Sequence, residues 1–272
     1  MASNGLIILK LGGSLLTDKS TPYKFKEQLL PTIVKEIKDC FKSDLVKNLI
    51  IIHGVGSFGH PPVIKYMLHK GFKNPEQLNY LSATQFDVNK LRNLITTEFL
   101  KAGVPVNLMH ASSMVIGTKG IISNHNFDSL KGFLSLGMVP LIGGDMMYDT
   151  SIGFSVCGGD QLAVLISREL NARRLIFATD VDGVYTTDPK KNPEALLLDK
   201  INVNEIELFL QKMDESIKDA TGKMKGKLLS IFSIKEQIKN GLEVSIISMS
   251  KEGNLKKSLE GNDFEHTKII FK

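Results

Sequence analysis

Short apolar runs recur along the chain between longer stretches of helical period. Residues 6–11, 49–53, 105–108, 139–143 and 175–179 are rich in Leu, Ile and Val, and most stop at Gly, Asp or His. That is the pattern of strands buried on both faces. Between them, residues 25–41, 84–101, 129–136 and 160–170 read as helices. In 227–239, Leu228, Leu229, Ile231, Phe232 and Ile238 repeat at three- and four-residue steps before Gly241, a C-terminal stop. Residues 244–248 and 268–271 add two strands. Strands alternating with helices predict an α/β fold, a three-layer αβα sandwich around a largely parallel central sheet. No fixed-period repeat and no Pro/Ser/Gly-rich linker interrupts the 272 residues, so one domain is expected over 1–272, with two lobes meeting near residues 170 to 180.

Composition narrows the function. Hydrophobic residues at 42% and charged residues at 23% are ordinary globular usage, which excludes disorder, collagen and coiled coil. The net charge of +5 is scattered among acids. Its one local cluster, Lys218, Lys223, Lys225 and Lys227, is diluted by Asp214, Glu215 and Asp219. A nucleic-acid binder concentrates such charge in a stripe, so a small anionic substrate is expected and nucleic acid is not. No window has the apolar length of a membrane span, and the start lacks a leader's long apolar region; a cytoplasmic protein without membrane attachment is expected. Cys40 and Cys157 are isolated and lack zinc-ligand spacing, so neither a disulfide framework nor a protein-held metal is expected.

The chemistry concentrates where strands end in glycine. Ligands of open α/β sheets bind outside the carboxyl ends of strands, and glycine lets backbone N–H groups approach a phosphate. Lys10-Leu11-Gly12-Gly13-Ser14 closes the first strand with a cation and a hydroxyl beside two glycines, and Lys19 follows within reach if the chain doubles back. His53-Gly54-Val55-Gly56-Ser57-Phe58-Gly59-His60 satisfies G-x-G-x-x-G but lacks the acidic residue about 20 positions on that a dinucleotide fold needs. His60 falls at an expected helix N-terminus, to donate to a bound phosphate or to cap the helix. Gly143-Gly144-Asp145 and Gly158-Gly159-Asp160 set carboxylates beside glycines, to hold lysine ammonium groups, to neighbour a magnesium-bound phosphate or to cap a helix. Residues 178–185, Ala-Thr-Asp-Val-Asp-Gly-Val-Tyr, form an acidic turn suited to ribose or adenine. The stretch 219–227 sets lysines ahead of a helix. The phosphate loop G-x-x-x-x-G-K-[S/T] and the protein-kinase signatures are absent, so any nucleoside triphosphate is handled on another scaffold.

In their order along the chain these motifs resemble the amino acid kinase family, over essentially its whole length. The resemblance implies that family's fold, ATP as phosphoryl donor and Mg2+ carried by the nucleotide phosphates. It implies an acceptor-binding lobe over about 1–170, a nucleotide-binding lobe over about 171–272, and a homodimer. By the same resemblance Lys10 stabilises the transferring group, Gly12, Gly13 and Ser14 cradle ATP phosphates, and Lys19 assists from the ATP side. Gly54 and Val55 offer N–H groups to the acceptor phosphate, Gly56 faces ATP, Gly159 borders the acceptor pocket and Asp160 orients the lysines, with Asp145 helping to hold that network. Thr179, Asp180, Gly222 and Lys227 contact the nucleotide. The ending Ser57-Phe58-Gly59-His60, with Lys70-Gly71 after it, resembles the branch that phosphorylates isopentenyl phosphate, where the histidine holds the acceptor phosphate. A kinase of another small phosphate or phosphonate, as in fosfomycin kinases, and a non-catalytic nucleotide-binding member are the alternatives. Three positions depart from the branch: Val55 and Lys223 replace glycines, and Gly143 stands where histidine is commoner. Phe72, Leu81, Phe86 and Met114 are candidates for a hydrocarbon pocket, or for the core.

Overall fold

The computed structural model describes residues 5–18, 20–212 and 218–272, apart from the side chains of 212–223. Its strands are β1 (Leu6–Leu11), β2 (Asn48–His53), β3 (Val106–His110), β4 (Val115–Thr118), β5 (Ile121–His125), β6 (Val139–Gly143), β7 (Asp145–Asp149), β8 (Gly153–Cys157), β9 (Arg174–Thr179), β10 (Lys200–Asn202), β11 (Glu243–Ser248) and β12 (His266–Ile270). Eight of them form one sheet in the order β10-β12-β11-β9-β1-β2-β6-β3. All its pairings are parallel except β11 with β12.

The helices are α1 (Gly13–Leu16), α2 (Leu29–Lys42), α3 (Gly56–Lys65), α4 (Glu76–Lys101), α5 (Asp128–Ser135), α6 (Gly159–Glu169), α7 (Ile206–Lys212), α8 (Lys218–Phe232), α9 (Lys235–Lys239) and α10 (Asn254–Glu260). Successive residues of a strand face opposite sides, and the core divides accordingly. Ile7, Leu9 and Leu11 pack with Ile33 and Ile37 of α2, Leu91 and Ile95 of α4 and Leu255 of α10. Ile8 packs on the other side with Leu162 and Ile166 of α6 and Leu228 and Ile231 of α8. The expected three-layer sandwich is present. Lys10 shares the face of Ile8, and this parity points its ammonium toward α6 and α8.

Some boundaries differ from the sequence reading. The expected helix from residue 25 starts at Leu29, because Phe25 bridges Thr17. The expected helix over 227–239 is two, α8 and α9. The sequence reading lacked a whole second sheet, β5-β4-β7-β8, whose hairpins β4–β5 and β7–β8 are antiparallel. The chain crosses into it at Gly144, between the end of β6 and the start of β7. No helix among the described residues is long and apolar enough to cross a membrane.

Asp149 ties the second sheet together. Its carboxylate is buried and accepts from the backbone N–H groups of Lys119 (3.1 Å), Gly120 (2.8 Å), Ser151 (2.9 Å) and Ile152 (3.2 Å), and from the Ser155 hydroxyl (2.9 Å). Burial pulls this carboxyl upward, but these donors outweigh it and hold it well below the usual carboxylate range. The stabilisation is complete above the unfolded carboxyl's pKa and is lost as pH falls through the lower folded value. Asp149→Ala should lower stability by ~3 kcal/mol, since several buried N–H groups lose their acceptor. Thermal melts at pH 7 check this, and an unchanged melting temperature would show the carboxylate to be dispensable.

Candidate functional site

Two glycine turns meet at the carboxyl edge of the sheet. β1 and β2 run parallel and in register, with Leu11 opposite His53. The Gly54 N–H donates to the Leu11 carbonyl (2.8 Å), and the Gly12 N–H donates to Ala178 at the end of β9 (2.8 Å). Beyond the strands the turns touch backbone to backbone. A Cβ at Gly13 would lie 2.6 Å from the Gly56 nitrogen, and one at Gly54 would lie 2.6 Å from the Gly13 nitrogen. Gly56 has φ +49°, and a Cβ there would collide with the Thr17 hydroxyl, so glycine is required. At Val55 the backbone is right-handed helical (φ −84°) and tolerates a side chain. Its methyls fit because Gly59 and Gly144, the residues they cover, have none.

Asp160 joins three distant parts of the chain. It stands in the first turn of α6, behind Gly158, and forms no cap bond. Instead its Oδ1 meets Lys10 Nζ at 2.7 Å and Lys227 Nζ at 3.0 Å. Both lysines are nearly buried, and Lys227 also lies over the Phe177 ring (4.3 Å). Burial raises the Asp160 carboxyl, but the charges of Lys227 and Lys10 outweigh it, so the group stays ionised. Burial pushes Lys227 down to about 8, with Asp160 opposing and Lys10 reinforcing the shift. One anion between two cations leaves a surplus positive charge in a dry position, a ready partner for an anionic ligand.

A cavity of about 760 Å3 opens over these groups. Lys10, Gly12, Gly13, Ser14, Gly54, Val55, His60, Gly159, Asp160, Thr179, Asp180 and Lys227 all line it. Gly56, the partner of Gly13 in the floor, is buried beside it. Ser14 Oγ donates to Asp180 Oδ1 (2.7 Å), and Lys190 Nζ reaches Asp180 Oδ2 (2.7 Å). The Thr179 hydroxyl donates to the Val181 carbonyl (2.6 Å) and so shapes the turn after β9. His60 is exposed on the cavity wall in the second turn of α3, which begins at Gly56, rather than at its N-terminus. Lys19 lies outside the described residues, and Gly222 falls within α8 rather than in a loop ahead of a helix. Among the described residues no group of three or more His, Cys, Asp or Glu side chains is placed to hold a metal ion.

The apolar wall differs from expectation. Phe72 and Phe86 are exposed, and Leu81 and Met114 are half-buried against hydrophobic clusters. The cavity is lined instead by Val63 and Ile64 of α3, Val88 of α4, Met146 of β7 and Val156 of β8. Polar Gln85 and Lys190 were missed too. The helical spacing of Gln85 and Val88 was visible, but which face meets a cavity depends on the second sheet.

The sequence model of the amino acid kinase family matches residues 5–248. A curated isopentenyl phosphate kinase of Methanothermobacter thermautotrophicus is 36% identical over 98% of this chain and 100% of its own length. One from Methanocaldococcus jannaschii is 33% identical over 98% of this chain and 99% of that protein. A solved structure of isopentenyl phosphate kinase superposes with a TM-score of 0.82 at 33% identity, covering 97% of this chain and 100% of that one.

The shared carboxylate has a consequence measurable without substrate. In an NMR titration of isotope-labelled lysine side chains, one ammonium, Lys227, should titrate near pH 8. Asp160→Asn should move that titration to lower pH, because the anion that holds the proton is gone. A Lys227 that titrates with the surface lysines would contradict the geometry.

Proposed function

Because the chain belongs to the amino acid kinase family, we propose that it transfers the γ-phosphoryl group of ATP to isopentenyl phosphate, giving isopentenyl diphosphate. The observation that carries this reading is the composition of the cleft over Lys10 and Asp160. Two lysines on a shared carboxylate and two touching glycine turns face an apolar wall of Val63, Ile64, Val88, Met146 and Val156, with His60 beside it. Such a wall suits a short hydrocarbon tail, and the two curated relatives described above are isopentenyl phosphate kinases.

The division of labour rests on the family resemblance of the motifs. The N-terminal lobe, about 1–170, holds the acceptor, with the Val55 N–H, His60 and the border at Gly159 around its phosphate. The expected Gly54 N–H is instead spent on the Leu11 carbonyl, so Gly54 contributes close approach of the main chain rather than a donor. The C-terminal lobe, about 171–272, brings Thr179, Asp180, Gly222 and Lys227 to the nucleotide. Gly12, Gly13, Ser14, Gly56 and Lys19 meet the ATP phosphates, whose magnesium would supply further neutralisation of charge. Lys10 and Lys227, steered by Asp160, stabilise charge on the phosphoryl oxygens as it passes in line between acceptor and donor. An acceptor phosphate is already ionised at neutral pH, so this transfer needs no strong general base. Val55 is compatible with this role, since only its backbone N–H is asked for.

The protein acts in the cytoplasm as a homodimer. Phe86, Leu94 and Leu100 are exposed along α4 and offer a second copy an apolar face. Sedimentation equilibrium at micromolar concentration checks this, and a monomer mass rejects it.

The substrate is tested by coupled ADP release with isopentenyl phosphate, dimethylallyl phosphate and fosfomycin. Turnover of the first is expected. Turnover of fosfomycin alone would move the protein to the phosphonate kinases, and none with any acceptor would favour a non-catalytic role. His60→Ala should lower kcat/KM for the acceptor at least ~10-fold while the KM for ATP stays within about twofold. An unaltered acceptor kcat/KM would leave the imidazole without a part in transfer.

A further inference from the structure

A second set of ionisable groups lies under the cleft, on the opposite side of the sheet from Lys10 and Asp160, and the transfer chemistry above leaves it unused. Strand parity puts His53, His110 and Gly143, the last residues of β2, β3 and β6, on the face covered by α4. Arg92 of α4 projects into that space and is fully buried. Its Nη1 donates to Asn89 Oδ1 (2.6 Å) and meets His110 Nδ1 (2.7 Å), while Nη2 stands 3.7 Å from Asp145 Oδ2. A Cβ at Gly143 would collide with the His53 imidazole and come within 3.1 Å of Arg92 Nη2. This accounts for glycine at 143: imidazole and guanidinium fill the space of its side chain. Burial, and then the charge of Arg92, push His53 down to about 3, so it is neutral. Arg92 is therefore the cation of this cluster and Asp145 its anion.

Asp145 connects the cluster to the cavity. Its Oδ1 accepts from the Met146 N–H (2.8 Å) and from Gln85 Nε2 (3.2 Å), and Oδ2 accepts from Ser112 Oγ (3.0 Å). Gln85 Nε2 also donates to the Met146 carbonyl (3.4 Å). Both donors of that amide are thereby used, which fixes the orientation of a side chain on the cavity wall. The residue before Asp145, Gly144, donates its N–H to the His53 carbonyl (3.1 Å), beside which Gly159 also packs. Arg92 thus stands behind the turns at 53–56 and 143–145, which reach the cavity beside Gly159.

We propose that Arg92 is a positioning residue for the acceptor. Through Asp145 it fixes Gln85 and the turn at Gly144, and so sets where the acceptor phosphate rests relative to Lys10. This rests on the kinase reading above. A merely structural ion pair would behave otherwise: its loss would lower the melting temperature and disturb both substrates together.

The test is steady-state kinetics of the full chain for ATP and isopentenyl phosphate, with thermal melts. Wild type, Arg92→Lys, Gln85→Leu and the double variant are compared. Turnover by wild type comes first, and its absence would reject the kinase reading before any variant is measured. Arg92→Lys keeps the charge but loses the planar fork, so acceptor KM should rise about tenfold while ATP KM stays within about twofold. Gln85→Leu, on the cavity wall and outside the buried pair, should raise acceptor KM about fivefold. The double variant should stay within about twofold of Arg92→Lys, because both changes act through one carboxylate. Equal rises in both KM values for Arg92→Lys, or multiplied effects in the double variant, would overturn the proposal. So would an unchanged acceptor KM in Gln85→Leu, which decides the matter alone if Arg92→Lys does not fold.

Discussion

The molecule depends on how closely two strand ends approach. Neighbouring strands lie about 4.8 Å apart, and β1 and β2 hold that spacing in register to their last residues. The turns that follow are then too close for side chains, and the contact between Gly13 and the Gly54–Gly56 turn is backbone on backbone. A floor made of main chain results, narrow enough that side chains from either face of the sheet can reach over it. Lys10 and Asp160 come from one face. The α4 side supplies the buried ions beneath the other.

The two charged clusters solve different electrostatic problems. On the α6 side, one carboxylate between two ammonium groups is deliberately short of negative charge, which keeps the lysines ordered yet available to an anion. A buried ion is expensive unless paired, and that pairing is supplied before any ligand arrives. On the α4 side, Arg92 and Asp145 balance each other, and two neutral histidines surround them. Of this set Asp145 alone reaches the cavity wall, and Arg92 stays buried behind it.

Most of the large sheet was legible because β1, β2, β6 and β9 are buried on both faces and read as runs of Leu, Ile and Val, whereas β10, three residues at its edge with one buried, gave no such run. Lys10 stood out by interrupting such a run. The second sheet was not legible: β5 and β7 mix polar with apolar residues and lack the β-branched runs of the first. Its absence from the reading also misdirected the pocket, because Met146 and Val156 are wall residues only once those hairpins stand over the cleft. Phe86 resembled a pocket residue by type alone. Its ring lies outside under the Lys90 ammonium, 4.5 Å away, a contact between neighbouring turns of α4. Arg92 gave no signal at all, since one arginine on a helix of apolar period looks like a solvated charge. His60 was recognised by its motif, while its place in the second turn of α3 was hidden by Pro61 and Pro62, which look like breakers yet sit inside that helix.

The bridge at Asp160 also bears on biosynthesis. Lys10 leaves the ribosome well before Asp160, and Asp160 well before Lys227. Contacts so far apart form late, after the loops between them have closed. A nascent or prematurely terminated chain that stops short of α8 holds an incomplete charge arrangement even where its first strands are native. The finished cleft therefore reports that three widely separated segments have all been made and have found their places.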